Sequence, residues 1–202
     1  MLEAIFVVSL FFLYMLLWKI KQIQQRSLTG IDPQVMQKST TSVQQFMGRF
    51  SNILTVYAAS VILVHSSNFQ FGSMFSRYGV ISTVEIDVLG FVIGLIGLSF
   101  CLYAQIKMGT SWRVGIDEKV KTQLITTGLY SLIRNPTYLG LFLLNIGVWL
   151  IWPTWTIFFL NVLFFLFLEI QVRCEEDYLL STHGDQYHDY KNRTKRYLPF
   201  VY

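Results

Sequence analysis

Residues 121–138 read KTQLITTGLYSLIRNPTY and form a polar stretch between strongly apolar segments. Gly128 and the Asn135-Pro136 pair each favour a change in backbone direction, because glycine tolerates positive φ and proline restricts the residue before it. Arg134 places a permanent charge just before the next apolar segment. We therefore predict an ordered polar loop, with Asn135 as the N-cap of the helix that follows.

The composition on either side of this loop is typical of a membrane protein. Hydrophobic residues make up 53% of the 202 residues and charged residues only 14%, against roughly 25% charged residues in soluble proteins. A transmembrane helix needs about 20 predominantly apolar residues. We predict an all-α integral membrane protein with about five transmembrane helices, forming a single domain over residues 1–202. The apolar segments are 2–18, 50–64, 84–106, 138–152 and 155–172.

The basic residues fall on one side of such a five-helix arrangement. Three regions, 19–49, 107–134 and 173–196, hold 15 of the 16 Lys and Arg residues, and Arg77 is the remaining one. Five crossings put these three regions on the same face of the membrane. Because basic loops of membrane proteins face the cytosol, we predict an external N-terminus, and a C-terminus and polar loop in the cytosol.

Small and polar residues indicate how the helices pack. Gly90, Gly94 and Gly97 form a small-residue face that lets a neighbouring helix approach closely. Asn145 and Asn161 lie in the last two apolar segments, where we expect them to face protein and to hydrogen-bond across helices. A tight turn at Pro153 joins those two segments into a hairpin.

A second polar block, residues 173–199, follows the last apolar segment. It begins with three consecutive acids at 175–177 and ends in a basic run. On its own this pattern predicts an amphipathic helical tail whose cations meet anionic lipids. The two cysteines and three histidines show no metal-ligand spacing, so we expect no metal site. We also expect no nucleic-acid partner.

Taken together, the two polar blocks resemble the isoprenylcysteine carboxyl methyltransferases and the related phospholipid methyltransferases. The resemblance rests on RNPTYLG after TTGLY, followed from Glu175 by EExxLxxxxGxxYxxY and a basic segment ending in Leu-Pro. It covers roughly residues 109–199. It implies an integral membrane enzyme that uses S-adenosylmethionine, with its catalytic part at about residues 107–202.

The resemblance also assigns roles to individual residues. Glu175 would bind the amino group of the cofactor, since a carboxylate forms a charge-assisted hydrogen bond with an ammonium. Beyond the resemblance, the chemistry of methyl transfer suggests two further roles. Arg173 is our candidate for steering an anionic or carbonyl group of the acceptor, and Glu176 or His183 could act as general base for an amine acceptor. The residues that would bind S-adenosylmethionine are Thr122, Gln123, Leu124, Ile125, Tyr130, Asn135, Pro136, Thr137, Tyr138 and Glu175.

Two positions depart from the family pattern. Asn135 stands where the family often has histidine. Gln171 stands where the prenylcysteine enzymes have a substrate-facing arginine, which weakens the case for a prenylcysteine carboxylate as the acceptor.

The resemblance predicts a methyltransferase that acts at the membrane–cytosol interface on a hydrophobic or lipid-like acceptor, through a carboxylate, thiol or amine. One alternative is an NADPH-dependent lipid or sterol reductase. Such enzymes share an Arg-x-Pro-x-Tyr motif with this chain, but in them Gly-Glu follows the motif. Here the motif is followed by Leu139-Gly140-Leu141, which contains no acid. The other alternative is a non-enzymatic scaffold or transporter, which explains the apolar segments but not the dense polar motifs.

Overall fold

The computed structural model describes residues 1–67, 72–79 and 82–199, which form six α-helices. Within these residues the only β-type pairing is two isolated bridges, Gln34 with Val114 and Ile133 with Lys195. The all-α prediction is confirmed. The helices are α1 (Leu2–Thr29), α2 (Ser42–Ser66), α3 (Val84–Met108), α4 (Pro136–Ile151), α5 (Trp155–His183) and α6 (Asp185–Arg193). Short 3₁₀ turns lie at Met36–Lys38, Ser73–Phe75, Gly109–Ser111 and Gly128–Ser131.

Four of these helices are long and apolar enough to cross a membrane: α1, α2, α5, and α3 with the 3₁₀ turn that continues it to Ser111. The fifth apolar helix, α4, has 16 residues, or about 24 Å at the usual rise per residue. Large apolar side chains on the outer surface are exposed, among them Phe12 (63%) and Val56 (67%), as contact with lipid requires. The chain is a multi-pass membrane protein, consistent with about five transmembrane helices.

Two helices extend well beyond the apolar segments that predicted them. α1 continues past residue 18 until Gly30, which adopts φ 68° and donates its N–H to the Arg26 carbonyl. α5 continues past residue 172 until Gly184, where φ is 53°. The first part of the second polar block, residues 173–183, is therefore an extension of a transmembrane helix, and α6 with the residues after it forms a separate tail.

The predicted small-residue face brings α3 and α4 into backbone contact. A Cβ on Gly90 would lie 2.6 Å from the Gly147 carbonyl oxygen, and a Cβ on Gly97 would lie 2.7 Å from the Leu144 nitrogen. Gly94 faces a different helix, since a Cβ there would meet the Leu10 side chain of α1 at 2.6 Å. Gly90 and Gly97 thus allow α3 and α4 to pack backbone against backbone.

The hairpin predicted at Pro153 is confirmed, with α4 ending before it and α5 starting after it. The Thr154 hydroxyl accepts a hydrogen bond from the Ile157 N–H at 3.3 Å and caps α5. Across the hairpin, Asn161 Nδ2 donates to the Asn145 carbonyl at 3.0 Å. The Asn145 amide instead bonds the Leu141 carbonyl of its own helix at 2.8 Å.

The two ends of the bundle differ in charge. At one end Arg77 is paired with Asp87 and lies 3.8 Å from the Glu3 carboxylate. The Tyr78 N–H at this end bonds the Pro153 carbonyl at 2.9 Å. The opposite end carries the loop between α1 and α2, the loop between α3 and α4, and the tail after α5. We call this second end the basic end, because it gathers the three basic regions.

Replacing Gly97 by alanine should destabilise the bundle, because the new Cβ would meet the backbone of α4. Overpacking of this kind costs about 1–3 kcal/mol. We expect a lower midpoint of thermal unfolding for Gly97→Ala in detergent. Gly79→Ala is the control, because an added Cβ there meets no atom of the described residues within 4 Å. Equal midpoints for the two variants would contradict the close α3–α4 contact.

Candidate functional site

A cavity of about 430 Å³ opens at the basic end. Its size falls within the range of about 300–1,000 Å³ that is usual for small-molecule sites. The loop between α3 and α4 and the start of α4 supply one side of the wall, and α5 supplies the floor. α1 and α2 supply the remaining side, together with the loop that joins them.

Two loops pair over the cavity and form what we call the cap, residues 30–41 and 109–118. The Val114 N–H bonds the Pro33 carbonyl at 2.9 Å, and the Met36 N–H bonds the Val114 carbonyl at 3.1 Å. Gly115 has φ 94°, and a Cβ there would lie 2.6 Å from the Met36 Cβ. The close approach of the two loops therefore requires glycine at this position.

One carboxylate locks the two loops of the cap to each other. Glu118 accepts hydrogen bonds from the Ser39 hydroxyl at 2.8 Å, from the Thr40 N–H at 3.0 Å and from the Thr40 hydroxyl. The hydroxyls of Thr40 and Ser39 lower the pKa of this carboxyl from its ordinary 4.5 to about 2. The cap is also tied to α5, because the Tyr178 hydroxyl donates to the Asp117 carbonyl at 2.7 Å.

The segment 121–127 crosses the mouth of the cavity in irregular conformation. Lys121 Nζ anchors its start on the Thr182 carbonyl at 2.7 Å. Its end turns at Gly128, where φ is 70°. Within the described chain, the backbone N–H groups of residues 122–127 have no hydrogen-bond acceptor. They are therefore open to water or to a ligand.

A buried ion-pair network fixes the start of α4. Arg134 Nε lies 3.0 Å from Glu176 Oε1, and Arg196 Nη2 lies 2.9 Å from Glu176 Oε2. The backbone N–H of Arg134 also donates to the Lys195 carbonyl at 2.7 Å, and the backbone N–H of Lys195 donates to the Leu132 carbonyl at 3.2 Å. The tail after α6 therefore runs alongside the end of the loop and holds it against α5.

Asn135 occupies the N-cap position of α4, but its side chain makes no capping hydrogen bond. The prediction of a capping bond is wrong. Its Nδ2 instead lies 3.5 Å from Glu176 Oε1 and 3.5 Å from the Arg196 carbonyl. The ion-pair network and the tail thus hold the amide away from the helix end.

Glu175, next to Glu176 on α5, has a different environment and lines the cavity. Its Oε1 accepts hydrogen bonds from the Tyr138 hydroxyl at 2.7 Å and from Gln171 Nε2 at 2.9 Å. No described residue donates to Oε2, and no described cation pairs with this carboxylate. By contrast, the two arginines that line the cavity are paired, Arg134 with Glu176 and Arg113 with Asp117 at 3.1 Å.

Three buried tyrosines complete the wall near the tail: Tyr130, Tyr187 and Tyr190. Burial raises the pKa of each hydroxyl, so these groups are neutral hydrogen-bonding groups at neutral pH. The Tyr190 hydroxyl donates to the Tyr130 carbonyl at 2.7 Å. The Tyr187 hydroxyl is buried with no partner among the described residues.

The structure brings most of the residues predicted to bind the cofactor to this one cavity. Pro136 is the exception, since it is buried in the first turn of α4 and is not among the described lining residues. Those that line the cavity are Thr122, Gln123, Leu124, Ile125, Tyr130, Asn135, Thr137, Tyr138 and Glu175.

The residues predicted to act on the acceptor lie elsewhere. The Arg173 guanidinium bonds the carboxylate and the carbonyl of Glu169, and 52% of the Arg173 side chain is exposed. Glu176 lies behind the cavity wall in the ion-pair network. Neither residue, nor His183, is among the described residues that line the cavity.

Sequence reasoning missed the contribution of α1 and α2 to the wall. Tyr14, Trp18 and Gln22 of α1 line the cavity, as do Asn52 and Thr55 of α2. No motif in this part of the chain marks these residues. The available signal was the presence of Asn52 and Thr55 in an otherwise apolar segment, where polar side chains usually serve packing or function.

Comparison with known proteins matches residues 86–186 to the family described as phospholipid methyltransferase. The chain is 31% identical over 125 residues to the protein-S-isoprenylcysteine O-methyltransferase of Saccharomyces cerevisiae, covering 60% of this chain and 52% of that protein. The protein of the same name from Schizosaccharomyces pombe is 27% identical over 126 residues, with 60% and 52% covered.

A third relative, the nickel-cobalt-cadmium resistance protein NccN of Alcaligenes xylosoxydans xylosoxydans, is 29% identical over 108 residues. That match covers 53% of this chain and 48% of the relative. The chain therefore spans about half the length of the curated relatives it matches. The family match includes Glu175 and Glu176 but leaves out α1, α2 and the first loop of the cap.

The hydrogen bonds of Glu118 should make the stability of the cap depend on pH. Its pKa is lower in the folded protein than the ordinary 4.5. The bonds therefore stabilise the fold above about pH 4.5, and this stabilisation is lost as the pH falls toward 2. We expect the thermal midpoint of wild type to exceed that of Glu118→Gln at neutral pH, and the difference to shrink through that window. A difference that is independent of pH would contradict the assignment.

Proposed function

The chain belongs to the phospholipid methyltransferase family, and from this we propose that it transfers a methyl group from S-adenosylmethionine to a hydrophobic acceptor. The family match does not support the two alternatives, a reductase or a non-enzymatic scaffold or transporter. The observation that carries the proposal is the Glu175 carboxylate. It lines the cavity, is oriented through one oxygen, and has no cationic partner among the described residues.

The polar groups of the wall suit the polar groups of S-adenosylmethionine. Glu175 would bind the ammonium as a charge-assisted hydrogen bond. The backbone N–H groups of residues 122–127 would bind the carboxylate, since such groups favour anions when they point into a shared concavity. Tyr187 supports the same fit, because a buried hydroxyl without a partner is costly until a ligand satisfies it.

Bound in this cavity, the sulfonium of the cofactor supplies an activated methyl carbon. The residues of the chain contribute position and exclusion of water. Orientation of two reactants can supply about 7–11 kcal/mol in favourable cases. Leu124, Ile125 and Leu141 line the cavity alongside the polar groups, and such apolar walls keep bulk water from the reacting centre.

The acceptor would be hydrophobic, because a second, apolar cavity adjoins the first. It has a volume of about 100 Å³ and lies between α1, α2, α4 and α5. The two cavities share five lining residues, and the apolar one reaches Val7 and Ile157. A hydrocarbon chain in the apolar cavity would leave its polar end near the loop between α3 and α4. The shared residues are Tyr14, Leu54, Thr55, Leu141 and Phe164.

We propose a structural role for Glu176 in place of the general base predicted from the sequence. Both of its oxygens accept hydrogen bonds from guanidinium groups, which favours the ionised form and opposes proton uptake. The steering role predicted for Arg173 would require its guanidinium to leave Glu169. The cavity therefore best suits an acceptor whose nucleophile arrives already deprotonated.

We further propose that the basic end faces the cytosol and that the N-terminus lies outside. The support is the concentration of basic residues at that end, combined with the cytosolic preference of basic loops. In this arrangement the cofactor enters from the cytosol, and the acceptor enters from the bilayer. Because α1 and α2 line both cavities, we propose that residues 1–202 act as one domain.

Replacing Glu175 by glutamine should weaken cofactor binding and slow methyl transfer together. Loss of a hydrogen bond to a charged group costs about 1.5–3 kcal/mol, or about ten- to 150-fold in affinity. Calorimetric titration with S-adenosylhomocysteine measures binding, and labelled S-adenosylmethionine with a membrane lipid extract measures transfer. Asp177→Asn is the control, because Asp177 is exposed on the same helix. Wild type without affinity or transfer, or Glu175→Gln with full affinity, would contradict the proposal.

Replacing Tyr187 by phenylalanine should separate binding from stability. The hydroxyl has no partner in the described chain, so its removal should leave the thermal midpoint unchanged or higher. Affinity for S-adenosylhomocysteine should fall by about two- to twelvefold, since a neutral hydrogen bond contributes about 0.5–1.5 kcal/mol. Tyr57→Phe, on the outer face of α2, should change neither quantity. A lower midpoint with unchanged affinity would show that the hydroxyl serves the fold instead.

A further inference from the structure

A chain of buried hydrogen bonds leads from the cap to Glu175. Gln44 of α2 accepts a bond from the Ile116 N–H at 3.4 Å. The amides of Gln44 and Gln171 pair reciprocally, with N···O distances of 3.2 and 3.4 Å. Gln171 Nε2 then donates to Glu175 Oε1 at 2.9 Å. The two glutamines are only 2% and 1% exposed, so water does not substitute for these bonds.

The order of donors and acceptors along this series of hydrogen bonds fixes the orientation of each amide. A primary amide has a donor end and an acceptor end. The Ile116 N–H can only donate, so it holds the Gln44 oxygen toward the cap. Gln44 Nε2 must then face the Gln171 oxygen, which turns Gln171 Nε2 toward the carboxylate. If the Gln171 amide were reversed, its oxygen would oppose Glu175 Oε1, and two acceptors would face each other.

This orientation determines which part of Glu175 a ligand meets. Gln171 and the Tyr138 hydroxyl both donate to Oε1. Two donors on one oxygen fix the plane of the carboxylate and leave Oε2 for a ligand. A charged group that is half removed from water also needs such donors to remain favourable there.

We propose that Gln44 is a positioning residue for cofactor binding, which acts through Gln171 to orient the Glu175 carboxylate. The inference rests on the proposed function, in which Glu175 binds the ammonium of the cofactor. It gives α2 a part in the cofactor site, although Gln44 lies outside the segment that matches the family. It also links the cap to the site, because the chain of bonds starts at Ile116.

A double-mutant cycle on the full chain in detergent tests the proposal. Wild type, Gln44→Leu, Glu175→Gln and the double variant are compared for binding of tritiated S-adenosylhomocysteine by equilibrium dialysis. We expect Gln44→Leu to weaken binding about two- to twelvefold in the wild-type background. In the Glu175→Gln background the same change should weaken binding less than about twofold, because the effects of residues that act through each other are not additive. Gln24→Leu, the same substitution at an exposed position of α1, should bind as wild type does.

The outcomes separate this inference from the proposed function. If wild type does not bind S-adenosylhomocysteine, the proposed function fails. If wild type binds and Glu175→Gln binds more weakly, but Gln44→Leu retains wild-type affinity, only the role of Gln44 fails. An equal loss in both backgrounds also overturns that role, because Gln44 would then act independently of Glu175. Gln44→Met, which keeps the length of the side chain, replaces Gln44→Leu if the leucine variant does not fold.

Discussion

The ion pair between Arg134 and Glu176 holds three separate parts of the chain in one place. Arg134 ends the loop before α4, Glu176 belongs to α5, and the tail joins them through Arg196 and the Lys195 carbonyl. The two side chains of the pair are only 9% and 4% exposed. Removing one partner of a buried pair costs about 3–5 kcal/mol, because the other charge is left uncompensated. The cavity wall around Tyr138 and Glu175 depends on this junction.

The neighbouring residues Glu175 and Glu176 have different roles, one in ligand binding and the other in the fold. Successive residues on an α-helix point about 100° apart, since a turn holds about 3.6 residues. Glu176 therefore faces the loop and the tail, where guanidinium groups neutralise it. Glu175 faces the cavity, where Tyr138 and Gln171 orient it without neutralising it. Glu176 thus secures the site, and Glu175 presents Oε2 to a ligand.

The sequence was informative where a single segment carries the signal. Apolar runs predicted the helices, and glycine spacing predicted the α3–α4 contact. Nine of the ten residues predicted to bind the cofactor line the same cavity. The lengths of α1 and α5 were underestimated, because the apolar pattern stops at residues 18 and 172, although glycine ends these helices only at Gly30 and Gly184. Partners distant in sequence could not be predicted: Glu176 with Arg196, and Gln44 with Gln171, share no local pattern.

The most direct measurement is an experimental structure of the protein with S-adenosylhomocysteine bound. The ligand should lie between residues 122–127 and α5, with its ammonium about 2.7–3.2 Å from Glu175 Oε2, as expected for a charge-assisted hydrogen bond. The Arg134–Glu176 pair should be intact beneath it. Ligand density outside this cavity, or an ammonium paired with a different carboxylate, would contradict the assignment of Glu175 as the cofactor-binding acid.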